Sequence, residues 1–122
     1  MSDVITTVGK NIVAELIGGV DANADFDYLA VGTDGTEAVA GDTTLGAEIT
    51  DSGLARAQIT PSVTTNVLSL VKTWTATGAK TVQECGVLNA ASSGTLLAHS
   101  DFDAISLTTD DQLQVTYEIT IS

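Results

Sequence analysis

The amino-acid sequence predicts a mainly β fold: an antiparallel β-sandwich or barrel-like domain with one N-terminal α-helix. Three observations support this prediction. Residues 112–122 alternate polar and apolar side chains without a break, as a half-buried strand does. Apolar content is 43% but aromatic content only 4%, so the core must consist mainly of Val, Ile, Leu and Ala. Short apolar runs recur between turns of small residues, a pattern typical of sandwiches and barrels.

The N-terminal segment, residues 3–17, is the one good helix candidate. Ser2 or Asp3 is placed to cap its start, and the glycines at 18–19 end it. Gly9 inside the segment costs about 1 kcal/mol relative to Ala in a helix. The apolar residues recur at spacings of three to five and form one stripe: Val4, Ile5, Val8, Ile12, Val13, Leu16 and Ile17.

The remainder of the chain, 20–122, is predicted to form a β region, and with the helix at 1–19 it makes one domain. Strands are predicted over 26–31, 54–60, 63–75, 81–88, 95–100, 105–107 and 112–122. The third and fourth of these are predicted to pair as a hairpin through a turn at 77–80. Residues 37–53 are predicted to form a long loop, and such loops in small domains are usually functional or contact-forming.

The chain is strongly acidic, with sixteen acidic and four basic residues and a net charge of −12. Four basic residues neutralise few phosphates, so we expect no nucleic-acid partner. An anionic membrane surface would repel the chain, and no apolar run approaches 18 residues. A charge of this size destabilises the compact state unless salt screens it, which points to a high-salt setting. Ordinary solubility is the alternative explanation of the acidity.

Cys85 is the only cysteine, which excludes an intrachain disulfide and a multi-cysteine metal site. Its apolar surroundings predict a buried, inert thiol. The start of the chain has no basic region followed by an apolar core and a cleavage site. We therefore expect synthesis and assembly in the cytoplasm.

The best metal candidate is a weak calcium loop formed by Asp21, Asn23 and Asp25. These residues supply oxygen ligands at every second position, as the first half of an EF-hand loop does. However, Phe26 stands where that loop needs Gly, and Gly32 where it needs Glu. We interpret the segment as an acidic turn and predict no cofactor, with a structural cation as the alternative.

A second acidic group is formed by Asp101, Asp103, Asp110 and Asp111. These carboxylates are placed to collect a cation between two turns. Adjacent carboxylates are also common in turns that bind nothing. We interpret these acids as turn residues that bind no cation.

Residues 99–101 (His-Ser-Asp) contain the residue types of a hydrolase triad. Neighbours on a strand point to opposite faces, however, and no Gly-x-Ser-x-Gly elbow is present. We predict no catalytic residue and expect His99 at a strand end on the surface or hydrogen-bonded at an interface. The stretch 32–35 lacks the Gly-Lys-Ser/Thr ending of a phosphate loop and is predicted to be a turn.

Polar strand faces and an apolar helix are typical of a subunit that works by packing. Exposed sheet edges must be paired, covered or charged, and few Lys residues are available for that purpose. We therefore expect a homo-oligomer, preferably a trimer, without nucleic acid or membrane as partner. The predicted interface residues are Val8, Ile12, Leu16, Leu113, Val115 and Tyr117.

Seven segments, in order along the chain, resemble a known group of viral proteins. They are 8–13 (VGKNIV), 26–33 (FDYLAVGT), 53–57 (GLARA), 70–78 (LVKTWTATG), 84–91 (ECGVLNAA), 94–99 (GTLLAH) and 113–117 (LQVTY). In this set the chain resembles small structural proteins of tailed bacteriophages and tailed haloarchaeal viruses, of the tail-fibre-like or capsid-decoration type. It departs from them at Trp74, where members favour Phe, and at Cys85, where they favour Val or Ala.

The resemblance implies a virion structural subunit without catalytic residues. Its partners would be copies of itself and other virion proteins, such as the major capsid protein or tail proteins. A capsid-associated decoration role is preferred, since one domain carries neither shaft repeats nor a separate receptor-binding tip. A tail or tail-fibre-associated protein is the alternative, and an adhesin-like carbohydrate-binding β domain a remoter one. The acidity of the chain points to a halophilic host.

Overall fold

In the computed structural model, which describes residues 2–122, the chain forms two antiparallel sheets and one helix near the N-terminus. The larger sheet has the strand order β1-β7-β6-β2-β3 and the smaller sheet the order β4-β5-β8. The predicted mainly β, sandwich-like class with one helix is therefore confirmed. The elements are β1 (Ser2–Ile5), α1 (Thr7–Gly18), β2 (Tyr28–Gly32), β3 (Ala57–Gln58), β4 (Ser62–Thr64), β5 (Val67–Thr75), β6 (Lys80–Leu88), β7 (Leu96–Leu107) and β8 (Gln112–Thr120).

The main core lies between the two sheets. Leu70 and Trp74 of β5 contribute to it from the smaller sheet, and Val31 and Val82 from the larger one. The indole N–H of Trp74 donates a hydrogen bond to the carbonyl of Ala55 at 2.9 Å. A tightly packed interior of this kind fixes the relative position of the sheets.

A second, smaller cluster covers the opposite face of the larger sheet. Leu45 packs there against Ala30, Leu88 and Leu96, which belong to β2, β6 and β7. Leu45 belongs to the long loop, residues 33–56, which contains no strand and only one isolated bridge. The prediction of a loop over 37–53 is confirmed, and this loop covers the outer face of the sheet.

The N-terminal helix begins later than predicted. Residues Ser2–Ile5 form the edge strand β1, paired with β7, and α1 begins at Thr7. Neither predicted cap is correct, because Ser2 and Asp3 lie in this strand. Thr6 is the cap, and its hydroxyl accepts a hydrogen bond from the N–H of Gly9 at 3.0 Å.

The long strand predicted over 63–75 is two strands. Thr65 adopts a positive φ of 57° and turns the chain between β4 and β5, which pair with each other. The predicted hairpin between β5 and β6 is also wrong, because these strands lie in different sheets. Their apolar side chains, Leu70 and Trp74 on one and Val82 on the other, meet face to face across the core.

Two further strand predictions needed correction. The runs predicted at 95–100 and 105–107 form one strand, β7, with an irregularity in its pairing to β6. The strand predicted over 54–60 is reduced to Ala57–Gln58. The final strand, β8, confirms the alternation in the sequence, since the odd-numbered positions 113–119 face the core and the even ones face solvent.

Candidate functional site

A fully buried carboxylate, that of Glu84, joins the outer face of the larger sheet to the long loop. Its two oxygens accept hydrogen bonds from three backbone N–H groups of the loop: those of Asp34 (3.1 Å), Gly46 (2.8 Å) and Ala47 (2.8 Å). The ring Nε2 of His99 lies 2.8 Å from the same carboxylate. Four donors thus surround one buried acid, which satisfies the acceptor capacity of its oxygens.

His99 is bonded to a carboxylate at each ring nitrogen. Its Nδ1 lies 2.7 Å from Oδ2 of Asp42, and its Nε2 contacts Glu84. Two carboxylate partners favour the imidazolium, in which both nitrogens donate. The hydrogen bond to Glu84, with a smaller contribution from Asp42, raises the pKa of His99 despite burial. We call these three residues the Glu84–His99–Asp42 network.

The pKa of Glu84 is lowered. Burial alone would raise it, but the hydrogen bonds from His99 and from the loop N–H groups outweigh burial. Within residues 2–122, every buried side-chain nitrogen or oxygen has a hydrogen-bond partner. The network is therefore a charged but fully paired support for the loop.

Asp101 holds the beginning of the loop in a similar way. Its Oδ1 accepts hydrogen bonds from the N–H of Ala38 at 2.8 Å and of Ser2 at 3.1 Å. The bond from Ala38 lowers the pKa of Asp101. Two acids of the larger sheet thus bind backbone groups of one long loop.

A cavity of about 300 Å³ lies beside the network. Hydroxyl and carboxyl groups line it, among them Thr36, Glu37, Thr43 and Thr44. Over the described part of the chain, no cluster of three or more His, Cys, Asp or Glu side chains suits a metal ion. The cavity is polar and acidic, and its buried acid is bonded to the loop.

A second hydrogen-bond network, between buried Ser100 and Tyr117 and the exposed Asp3, lies on the core side of β7. The Ser100 hydroxyl and the Tyr117 hydroxyl each donate to Oδ1 of Asp3 at 2.7 Å. Burial raises the pKa of Tyr117, and it raises the pKa of the neighbouring Cys85 thiol to about 12. The prediction that Cys85 is buried is confirmed, and its raised pKa disfavours the reactive thiolate.

Residues 99–101 do not form a triad. His99 bonds to acids on the outer face of the sheet, whereas Ser100 bonds to Asp3 on the core side. The expectation of opposite faces is thereby confirmed. The expected surface position of His99 is wrong, because its ring is buried under the long loop.

The three residues of the weak calcium candidate, a segment interpreted above as an acidic turn, lie in different environments. The amide of Asn23 donates to Oε2 of Glu15 at 2.7 Å, which ties it to the helix. Asp21 and Asp25 are exposed, and Asp21 adopts a positive φ of 61° typical of a turn.

The second acidic group is also separated. Asp101 is bonded to the loop, while Asp111 accepts from the N–H of Thr108 at 2.8 Å. Asp103 and Asp110 are exposed. Asp111 thus stabilises the turn before β8.

The six predicted interface residues lie in different environments. Val8, Ile12 and Val115 are half-buried, and Leu16 is exposed. The side chains of Leu113 and Tyr117 pack in the chain's own core. The burial of these two side chains accounts for their apolar character without a partner.

An apolar groove of about 480 Å³ runs between the helix and one end of the smaller sheet. Its lining includes Ile5, Val13, Phe26, Leu68, Ile119 and Ile121. Val63 and Ile121 on this groove are 69% and 65% exposed. No helix within residues 2–122 has the length and apolarity needed to cross a membrane.

The Glu84–His99–Asp42 network was not anticipated from the sequence. Its members are far apart in sequence, with Asp42 on a loop of unpredictable path. One signal was available: Glu84 is an acid directly before the run Cys-Gly-Val-Leu that ends β6. A glycine, Gly32, lies opposite it on β2.

Comparisons with protein-family models, with curated proteins and with solved structures found no match to this chain.

Proposed function

We propose that the chain is a structural subunit of a tailed-virus particle, which acts by packing against copies of itself and other virion proteins. In this proposal it has no catalytic centre and no cofactor, and it resides in the virion after assembly in the host cytoplasm. A capsid-associated decoration role is preferred over a tail role, and a trimer is the preferred oligomer.

One observation carries the packing role: the fold leaves a large apolar groove open at the surface. Val63 and Ile121 are mostly exposed there, and Ile17 near the end of the helix is 83% exposed. Apolar surface of this kind marks interaction sites in soluble proteins. A second protein surface would remove these side chains from water, at about 25 cal/mol per Å² of apolar area.

The interior chemistry also supports a structural role. His99, Ser100 and Tyr117, the side chains closest in type to catalytic groups, are each hydrogen-bonded to a carboxylate. Their bonds join strands and the long loop. The seven segments that resemble tailed-virus structural proteins favour the same function.

The proposal is tested on purified particles of the virus whose genome encodes the chain. Mass spectrometry of purified particles should detect the chain in many copies. Electron microscopy with an antibody against it should label the head, whereas labelling of the tail would select the tail alternative. Infected cells that contain the chain while purified particles lack it would refute the proposal.

The role of the groove is tested by two matched substitutions. Val63→Asp places a charge on the groove, and Val71→Asp places one on an exposed position of β5 outside it. An unpaired charge in an apolar contact is strongly unfavourable, so Val63→Asp should reduce incorporation into particles by about tenfold or more. Equal incorporation of the two variants would exclude the groove as the packing surface.

A further inference from the structure

The smaller sheet ends at β8, and no strand pairs with its outer edge within residues 2–122. On its inner side β8 pairs with β5 over nine consecutive residues without a shift, from Gln112↔Thr75 to Thr120↔Val67. Its outer edge therefore offers a regular row of backbone N–H and C=O groups. Such a row is a template for another strand.

The other edges of the two sheets are protected, but β8 is not. The edge strands β1, β3 and β4 contain four, two and three residues, and β1 also carries the Asp3 carboxylate. Short length and charge are the usual means of blocking edge pairing. β8 has nine residues, of which only Glu118 is charged; it contains no Lys, Arg or Pro, and its pairing with β5 has no bulge.

We propose that β8 pairs antiparallel with β8 of a second copy of the chain, about a twofold axis at Thr116. The two smaller sheets then form one continuous six-stranded sheet. This register pairs all nine residues of β8, the largest overlap that the strand allows. Strand addition of this kind takes its affinity from main-chain hydrogen bonds.

The sequence of β8 is self-complementary in this register. On the core side, Leu113 lies opposite Ile119 of the second copy, and Val115 opposite Tyr117. These pairs continue the apolar face of the sheet across the axis. A shift by one residue would place apolar against polar positions, which disfavours the neighbouring registers.

Charge complementarity on the solvent side favours a second copy as the partner. Glu118 is the only charged residue of β8, and it lies opposite Gln114, an amide that donates to a carboxylate. Thr116 lies opposite its own copy, and cross-strand Thr pairs are favourable. No carboxylate opposes another across the axis, although each chain carries a net charge of −12.

This pairing is one of the contacts between copies of the chain that the proposed function requires, and it rests on the proposed function only in assuming that the chain self-associates. Ile119 and Thr120 of β8 line one end of the apolar groove, but its other lining residues, among them Val13 and Val63, stay available for other contacts, including those of a trimer. The two proposals fail separately. Particles that contain the chain without β8 pairing would overturn only this inference, and β8 pairing in a chain absent from particles would overturn only the virion role.

The register is tested by cross-linking with matched cysteine variants of the full chain. Thr116→Cys places two thiols opposite each other across the axis, whereas Thr75→Cys places one on the next strand inward. Both threonines are exposed, and the native thiol of Cys85 is buried. Mild oxidation should yield a covalent dimer of the first variant and a monomer of the second. Equal cross-linking of both, or of neither, would overturn the register.

Affinity is tested by sedimentation equilibrium in about 1 M salt, where surface repulsion is screened. Thr116→Lys places like charges opposite each other, and Thr75→Lys makes the same charge change one strand inward. We expect the first to weaken dimerisation by about tenfold or more, and the second by less than about threefold. A native chain that stays monomeric up to about 1 mM, or an equal effect of both variants, would overturn the proposal.

Discussion

Replacing Glu84 by Gln should release the long loop while leaving the shape of the side chain almost unchanged. The carboxylate accepts two hydrogen bonds at each oxygen: from Gly46 and His99 at Oε1, and from Asp34 and Ala47 at Oε2. A Gln side chain keeps one oxygen and turns the other into an N–H₂ donor. In either orientation of the amide, two donors lose their acceptor and face another donor.

The magnitude follows from these four bonds. Removal of one partner of a buried charged pair costs about 3–5 kcal/mol, and each unsatisfied buried donor about 1–3 kcal/mol. Gly46 and Ala47 lie at the surface, so water can replace part of what is lost. We therefore expect the free energy of unfolding to fall by about 3 kcal/mol, the lower end of this range. For a chain of this length, that corresponds to a fall in Tm of about 12 °C.

The assay is denaturant unfolding of the native chain and the variant, with Glu37→Gln as the matched control. Glu37 lies exposed in the same loop and accepts one hydrogen bond from Ser2, which an amide oxygen can also accept. The control should change the free energy of unfolding by less than about 0.5 kcal/mol. In a His99→Ala background, Glu84→Gln should cost less, with a coupling of about 1–3 kcal/mol. A cost below about 1 kcal/mol for Glu84→Gln in the native background would refute this account of the loop.

Four further outcomes are expected. The Glu84–His99–Asp42 network should stabilise the fold most between about pH 4.5 and 6.5. Because the pKa of His99 is raised, the stabilisation falls as pH rises through that pKa; because the pKa of Glu84 is lowered, it also falls in acid. If chemical denaturation gave Glu84→Gln the same dependence of unfolding free energy on pH as the native chain, this account would be contradicted. Gly9→Ala should destabilise the chain by about 1–3 kcal/mol, although Ala is the better helix former, because a Cβ would lie 2.7 Å from Cα of Leu97; a higher Tm would show that helix propensity prevails. Arg56→Lys should cost about 1–2 kcal/mol in thermal unfolding, because Lys cannot reproduce the two-pronged pair with Glu48. The free energy of unfolding should rise between about 0.1 and 1 M NaCl, over which the Debye length falls from about 10 to 3 Å, and a Tm indifferent to salt would reject salt adaptation.

Local patterns in the sequence predicted the fold class and several elements because each depends on nearby residues. The alternation over 112–122 and the loop over 37–53 correspond to β8 and to the long loop. The start of the helix was misplaced, because Val4 and Ile5 fit a helical stripe equally well. Their pairing with β7, far away in sequence, decides that they form a strand.

Long-range contacts account for the remaining errors. The turn at Thr65 and Asn66 carries no Gly or Pro, and Asn66 alone is a weak turn signal between two apolar runs. Whether β5 and β6 pair edge to edge or stack face to face depends on all the other strands. His99 was misplaced for the same reason, since its burial depends on the path of the loop that carries Asp42.

The acids of this chain divide into two groups with different physical roles. Glu84 and Asp101 accept hydrogen bonds from backbone N–H groups and one His, at short range and away from water. Salt screens such buried contacts weakly, whereas it screens the many exposed carboxylates strongly. A change in salt concentration therefore alters the repulsion between surface carboxylates but leaves the hydrogen bonds of Glu84 and Asp101 to the long loop almost unchanged. On this reasoning salt changes the stability of the whole chain, while pH acts on the loop through His99 and Glu84.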